Sequence, residues 1–177
     1  MDLWSFIKTF GIIGAKLVIF IVIASYAWTT IHEFAHLIAA KLTCGVHEWT
    51  MKVWPCKLDG RKVGGYVRYY PVRLETNKGR AFVSLAPFII STLCCMMFPI
   101  AIMTKSLIFI AIMFAGMTDH IGGSAVKSDT FWDLPHAAKK LNIPFWRMRL
   151  YFLSIVAVSV IVSICIYVKI INDVVAG

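Results

Sequence analysis

Three ionisable residues fall within five positions of an apolar run: in "SYAWTTIHEFAHLIAAKL", residues 25 to 42, His32, Glu33 and His36 form an H-E-x-x-H pattern. On a helix, side chains four residues apart leave one face a turn apart, so both imidazoles can bind one metal ion. Glu33, next to His32, is then within reach of a water at that ion. Zinc suits the set, because two neutral imidazoles and a carboxylate leave a fourth tetrahedral position for water and lower its pKa. Glu33 is the expected catalytic base, taking the proton and returning it to a leaving amine. Ionisable groups are costly in lipid, so a cluster of them is a functional site by default.

These residues must be carried by membrane helices. The chain has 177 residues, 59% of them hydrophobic and only 15% charged, and a mean hydropathy of +0.77. That composition fits a small integral membrane protein of one domain, residues 1–177, better than a soluble one. The expected fold is all-α and polytopic. Four spans are predicted, at about 10–42, 81–103, 106–122 and 150–172. Residues 1–10 lack the pattern of a cleavable signal peptide, which leaves the first long helix to serve as the signal.

Charge sets the orientation. Of the 18 Lys and Arg, nine lie between Lys41 and Arg80 and five between Lys127 and Arg149. In a four-span arrangement both groups fall on one side, which the positive-inside rule makes cytoplasmic. Both termini are then outside, and the active site is near the cytoplasmic face. The net charge of +9 reads as a topology signal and a contact for the lipid bilayer. No basic patch is interleaved with a recognisable binding motif, so no nucleic-acid partner is expected.

Between the first two spans, residues 47–72 are rich in Val, Trp and Tyr and break at Asp59-Gly60, a dipeptide suited to a tight turn. This predicts a membrane-associated β-hairpin whose strand edge is able to pair with an extended peptide. The five cysteines show no CxxC spacing and support neither a disulfide framework nor a cysteine zinc site.

A tetrahedral site needs a third protein ligand. Asp2 and Asp173 fall outside, Glu48, His47 and Glu75 lie in or beside the hairpin, and Asp59 belongs to its turn. There remains "GMTDHIGGSAVKSDTFWDLPHAAKKL", residues 116–141. Depth favours Asp119, about eight residues or ~12 Å of helix before Lys127, level with the histidines. Asp129 becomes eligible if "IGGS" breaks the helix and Asp129 opens a short helix beyond it, since broken backbone is tolerated where it lines a cavity.

"TTIHEFAHLIAAKLT" at the inner end of a first span, then a "GGYVRY" segment, then an acidic motif after a further span, resembles the site-2 protease family of intramembrane zinc metallopeptidases. "TDHIGGSAVKSDTFWDLPHAAKKLNIP" is similar to the ending of its small bacterial members. The resemblance covers most of the chain and implies a bacterial inner-membrane enzyme. Its substrate would be a membrane protein, cut in or near a transmembrane segment. In that family the third ligand is an Asp that opens a helix after an unwound stretch, which implies Asp129 as ligand and Asp119 as the polar residue assisting the site. Asp129 is preferred on that match, with Asp119 as the alternative. The chain departs from the family in lacking an Asn-x-x-Pro run and a Leu-Asp-Gly motif at the expected place. Two other classes use the same residues differently: a catalytically inactive relative acting as a membrane adaptor, and a membrane metal-binding or transport protein.

Overall fold

The computed structural model describes residues 3–58, 60–104, 106–125 and 133–176. Among them the chain runs α1 (Leu3–Thr43), β1 (Val46–Leu58), β2 (Arg61–Pro71), α2 (Asn77–Thr104), α3 (Leu107–Ala125), α4 (Asp133–Leu141) and α5 (Phe145–Ala176). Four of the helices, α1, α2, α3 and α5, are long and apolar enough to cross a membrane. They overlap the four expected spans, and α1, α2 and α5 extend beyond them at both ends.

The ends of these helices follow from local chemistry. Gly45 adopts φ +69°, the left-handed conformation that closes a helix, and the amide of Cys44 still donates to the Ala40 carbonyl at 3.0 Å. Thr76 caps α2, its hydroxyl accepting from the Gly79 amide at 3.0 Å. Asn142, at φ 54°, ends α4. Pro144 then stands one residue before α5, where a missing N–H costs nothing.

The predicted hairpin is present as a two-stranded antiparallel sheet. Its register runs from Val46 opposite Pro71 to Leu58 opposite Arg61, with irregularities between Val46 and Glu48 and between Val53 and Cys56. Gly60 takes φ +81° in the turn, while Asp59 lies outside the described residues. The hairpin base is clasped to the helices. The Tyr69 hydroxyl donates to Glu75 Oε1 at 2.6 Å, and Arg80 Nε pairs with Glu75 Oε2 at 3.2 Å. Burial, reinforced by the bond to Glu75 and its charge, raises the Tyr69 phenol above its ordinary range.

One expectation is not met. Residues 121–124, "IGGS", do not break α3, which continues through them to Ala125. Gly123 serves packing instead: a methyl group there would collide with the Phe88 ring of α2. At Gly116, two turns earlier, a methyl would stand 2.8 Å from Cys94 Sγ and 2.9 Å from the Trp28 ring. Small residues at such positions let membrane helices approach closely where apolar burial alone gives little drive.

Helix α4 is short and amphipathic. Leu134, Ala137 and Ala138 are buried with Ala81 and Phe88 of α2 and with Met148 and Phe152 of α5. This packing carries the first residue of α4, Asp133, to the His32–His36 face of α1.

Candidate metal centre

His32 and His36 leave one face of α1, their ring centroids 5.1 Å apart, as the i, i+4 spacing requires. Each ring is held at its Nδ1. His36 Nδ1 lies 2.8 Å from the carbonyl oxygen of Val83 in α2. His32 Nδ1 lies 2.9 Å from Asp119 Oδ2 in α3. With both Nδ1–H groups donating, both Nε2 atoms keep their lone pairs, the tautomer a metal ligand needs.

The two Nε2 atoms converge on Asp133, whose Oδ2 is 3.3 Å from His32 Nε2 and 3.3 Å from His36 Nε2. His32, His36 and Asp133 each offer a ligand atom, all within 4.8 Å of one another. Ligands about 2.0–2.1 Å from one tetrahedral ion stand about 3.3–3.4 Å apart. Both separations from Asp133 match that spacing, and the donor set suits such an ion.

Glu33 is 5% exposed and turns toward the hairpin. Its carboxylate packs on Gly65 of β2, where a Cβ would meet Glu33 Cγ and Oε1 at 2.7 Å. All four residues line one cavity of about 780 Å³, together with Trp28, Asp119 and the β2 residues Gly64, Gly65, Tyr66 and Val67. Five consecutive strand residues, Val63 to Val67, border it. Because side chains alternate between faces, residues from both faces of β2 contribute to this lining.

The predicted residues are thus distributed as follows. His32, Glu33 and His36 come together, and Asp119 joins them on the far side of His32, as a partner of Nδ1. Asp129 lies outside the described residues. Asp133 was not singled out by the sequence reading, although it had a signal: an Asp two residues before a Pro, ahead of an apolar-periodic "LPHAA", marks a helix start. The feature that the resemblance associates with the third ligand, an aspartate opening a helix, is met among the described residues by Asp133. His120, beside Asp119, takes no part in the cluster. It is fully buried, with Nδ1 2.7 Å from the Ser91 hydroxyl and Nε2–H donating to the Phe152 carbonyl at 3.1 Å.

No protein-family model, curated protein or solved structure matches the chain.

Proposed function

We propose that the chain is an intramembrane zinc metallopeptidase of the site-2 protease type, hydrolysing a peptide bond in or near the transmembrane segment of a membrane-protein substrate. The observation that carries this reading is the convergence of both imidazole Nε2 atoms on Asp133, with the buried Glu33 lining the same cavity. His32, His36 and Asp133 would hold the ion. When bound, zinc would polarise the attacking water and the scissile carbonyl.

The chain's own residues supply the rest. Glu33 removes a proton from the attacking water and delivers it to the nitrogen that leaves. Asp119 and the Val83 carbonyl keep the two rings turned so that neither imidazole can rotate its protonated nitrogen inward. A helical peptide bond is already hydrogen-bonded and shielded, so the substrate must unwind before it is cut. Strand β2 lines the cavity from Val63 to Val67, and its edge away from β1 would offer the unwound strand a backbone partner. The excess of Lys and Arg flanking α1–α2 and α3–α5 supports an inner-membrane protein with its termini outside and the site toward the cytoplasm.

The test is cleavage of a single-span reporter by the purified protein in bilayers, with zinc measured on the same samples. Glu33→Gln is expected to abolish cleavage and keep zinc, and His36→Ala to lose both. Cleavage retained in Glu33→Gln would refute the mechanism, and wild type that binds zinc without cutting any reporter would favour a metal-binding membrane protein.

A further inference from the structure

Helix α2 contains two prolines, Pro87 and Pro99. A proline inside a helix withholds the N–H that would bond to the carbonyl four residues earlier, and its ring presses that carbonyl outward. For Pro87 the orphaned carbonyl belongs to Val83. For Pro99 it belongs to Cys95. Both are taken up by donors from other helices: His36 Nδ1 lies 2.8 Å from Val83 O, and the Ser159 hydroxyl donates to Cys95 O. An acceptor left unpaired where water is excluded is expensive, and here each proline is matched to one cross-helix donor.

We propose that Pro87 is a positioning residue of the metal centre. By withholding its own N–H it reserves the Val83 carbonyl for His36, and that bond commits His36 to the tautomer whose Nε2 faces Asp133. Pro87 is itself fully buried and lies outside the group of residues that line the cavity. It acts through one carbonyl oxygen. An alanine at 87 would restore the N–H, draw the Val83 carbonyl back toward the helix axis and leave His36 Nδ1 competing for it. The ring would then be free to present either nitrogen. The proposal rests on the reading of His32, His36 and Asp133 as a zinc site, and Pro99, in the same helix with the same freed carbonyl but no link to the metal, supplies the control.

The experiment measures Zn2+ affinity of the full chain in detergent by chelator competition, and the His36 tautomer by 15N NMR of the metal-free protein with neutral imidazoles. Pro87→Ala is expected to weaken Zn2+ binding about 10–100-fold, the range typical for loss of a residue that orients a ligand. Pro99→Ala is expected to bind Zn2+ as wild type does. A third variant carries an α-hydroxy acid at position 87, which lacks both the ring and the N–H, and is expected to keep wild-type affinity. Affinity unchanged in Pro87→Ala would overturn the proposal, as would an α-hydroxy acid variant as weak as Pro87→Ala, which would assign the effect to the ring. If wild type binds no Zn2+, the zinc reading fails on its own account. The NMR measurement still decides the inference: Nδ1–H predominating in wild type and lost in Pro87→Ala upholds it, and Nε2–H in wild type overturns it.

Discussion

Asp119 and Asp133 address opposite nitrogens of one imidazole, at 2.9 Å from Nδ1 and 3.3 Å from Nε2 of His32. The two carboxylates therefore have different work. Only Asp133 also reaches His36, and only Asp133 stands where both Nε2 lone pairs point.

Their substitution should separate the two roles. Asp133→Ala removes a ligand, and stoichiometric zinc binding is expected to disappear. Asp119→Asn keeps an acceptor of similar shape but loses its charge, so zinc is expected to bind about 10–100-fold more weakly with unchanged stoichiometry. Calorimetric titration of the two variants reads the difference directly. The reverse ranking would exchange the assignments.

Gly65 leaves no room beside Glu33. A misplacement of about 1 Å at a reacting group can cost about 100-fold in rate. Gly65→Ala, whose Cβ would lie 2.7 Å from Glu33 Oε1, is expected to lower cleavage by about that factor while zinc content stays at the wild-type level. At Gly64 an added Cβ meets only Thr29 Cγ2 at 3.7 Å, an ordinary contact. Gly64→Ala should cut at near wild-type rate, and equal losses in the two variants would show that the strand, rather than the carboxylate, had been disturbed.

The clasp between Tyr69 and Glu75 has a pH signature. The folded protein holds the phenolic proton more tightly than the unfolded chain does. Its contribution to stability is therefore complete below about pH 10, the ordinary phenol value, and declines as pH rises above it. Tyr69→Phe loses a hydrogen bond to a charged group, worth about 1.5–3 kcal/mol. Thermal melts should place the variant below wild type at neutral pH, with the two curves converging on the alkaline side. Parallel curves up to strongly alkaline pH would contradict the assignment.

His120 is expected to matter for stability and not as a ligand. His120→Phe keeps an aromatic ring between Phe88 and Phe152, whose centroids lie 5.7 and 5.1 Å from the imidazole. It removes the bond between Ser91 and α3, worth about 1 kcal/mol, while Ser91 keeps its bond to the Phe88 carbonyl. The melting temperature should fall and one zinc per chain should remain; loss of the ion would make His120 part of the centre.

Much of this arrangement was legible in the sequence, for reasons that differ by element. The four spans follow from apolar length, and the hairpin from Val, Trp and Tyr content on either side of Asp59-Gly60, because both are local consequences of composition. His32, Glu33 and His36 were legible because helical spacing alone puts the histidines on one face. Asp133 was not, since its place depends on α4 packing its buried face onto α2 and α5, a tertiary fact. The glycines at 122 and 123 misled for a similar reason. Glycine permits a break, but Gly123 is there to admit Phe88, and only the neighbouring helix distinguishes the two uses. Val83 carries no side-chain chemistry at all. Its only mark in the sequence is Pro87, four residues on.

The bonds that α2 makes to its neighbours bear on how the bundle resists rotation. Apolar helices in lipid can spin against one another at little cost, since acyl chains receive their side chains as readily as a neighbour does. One polar bond per neighbour removes that freedom. Helix α1 is pinned through His36 to Val83, α3 through His120 to Ser91, and α5 through Ser159 to Cys95. A slip of one residue turns an α-helix by about 100°, enough to swing Asp119 away from His32. The pin on the adjacent residue, His120, opposes that slip. The azimuth of three helices, and with it the direction in which the metal-binding groups point, is thus set by a helix that lends the cluster only a carbonyl oxygen.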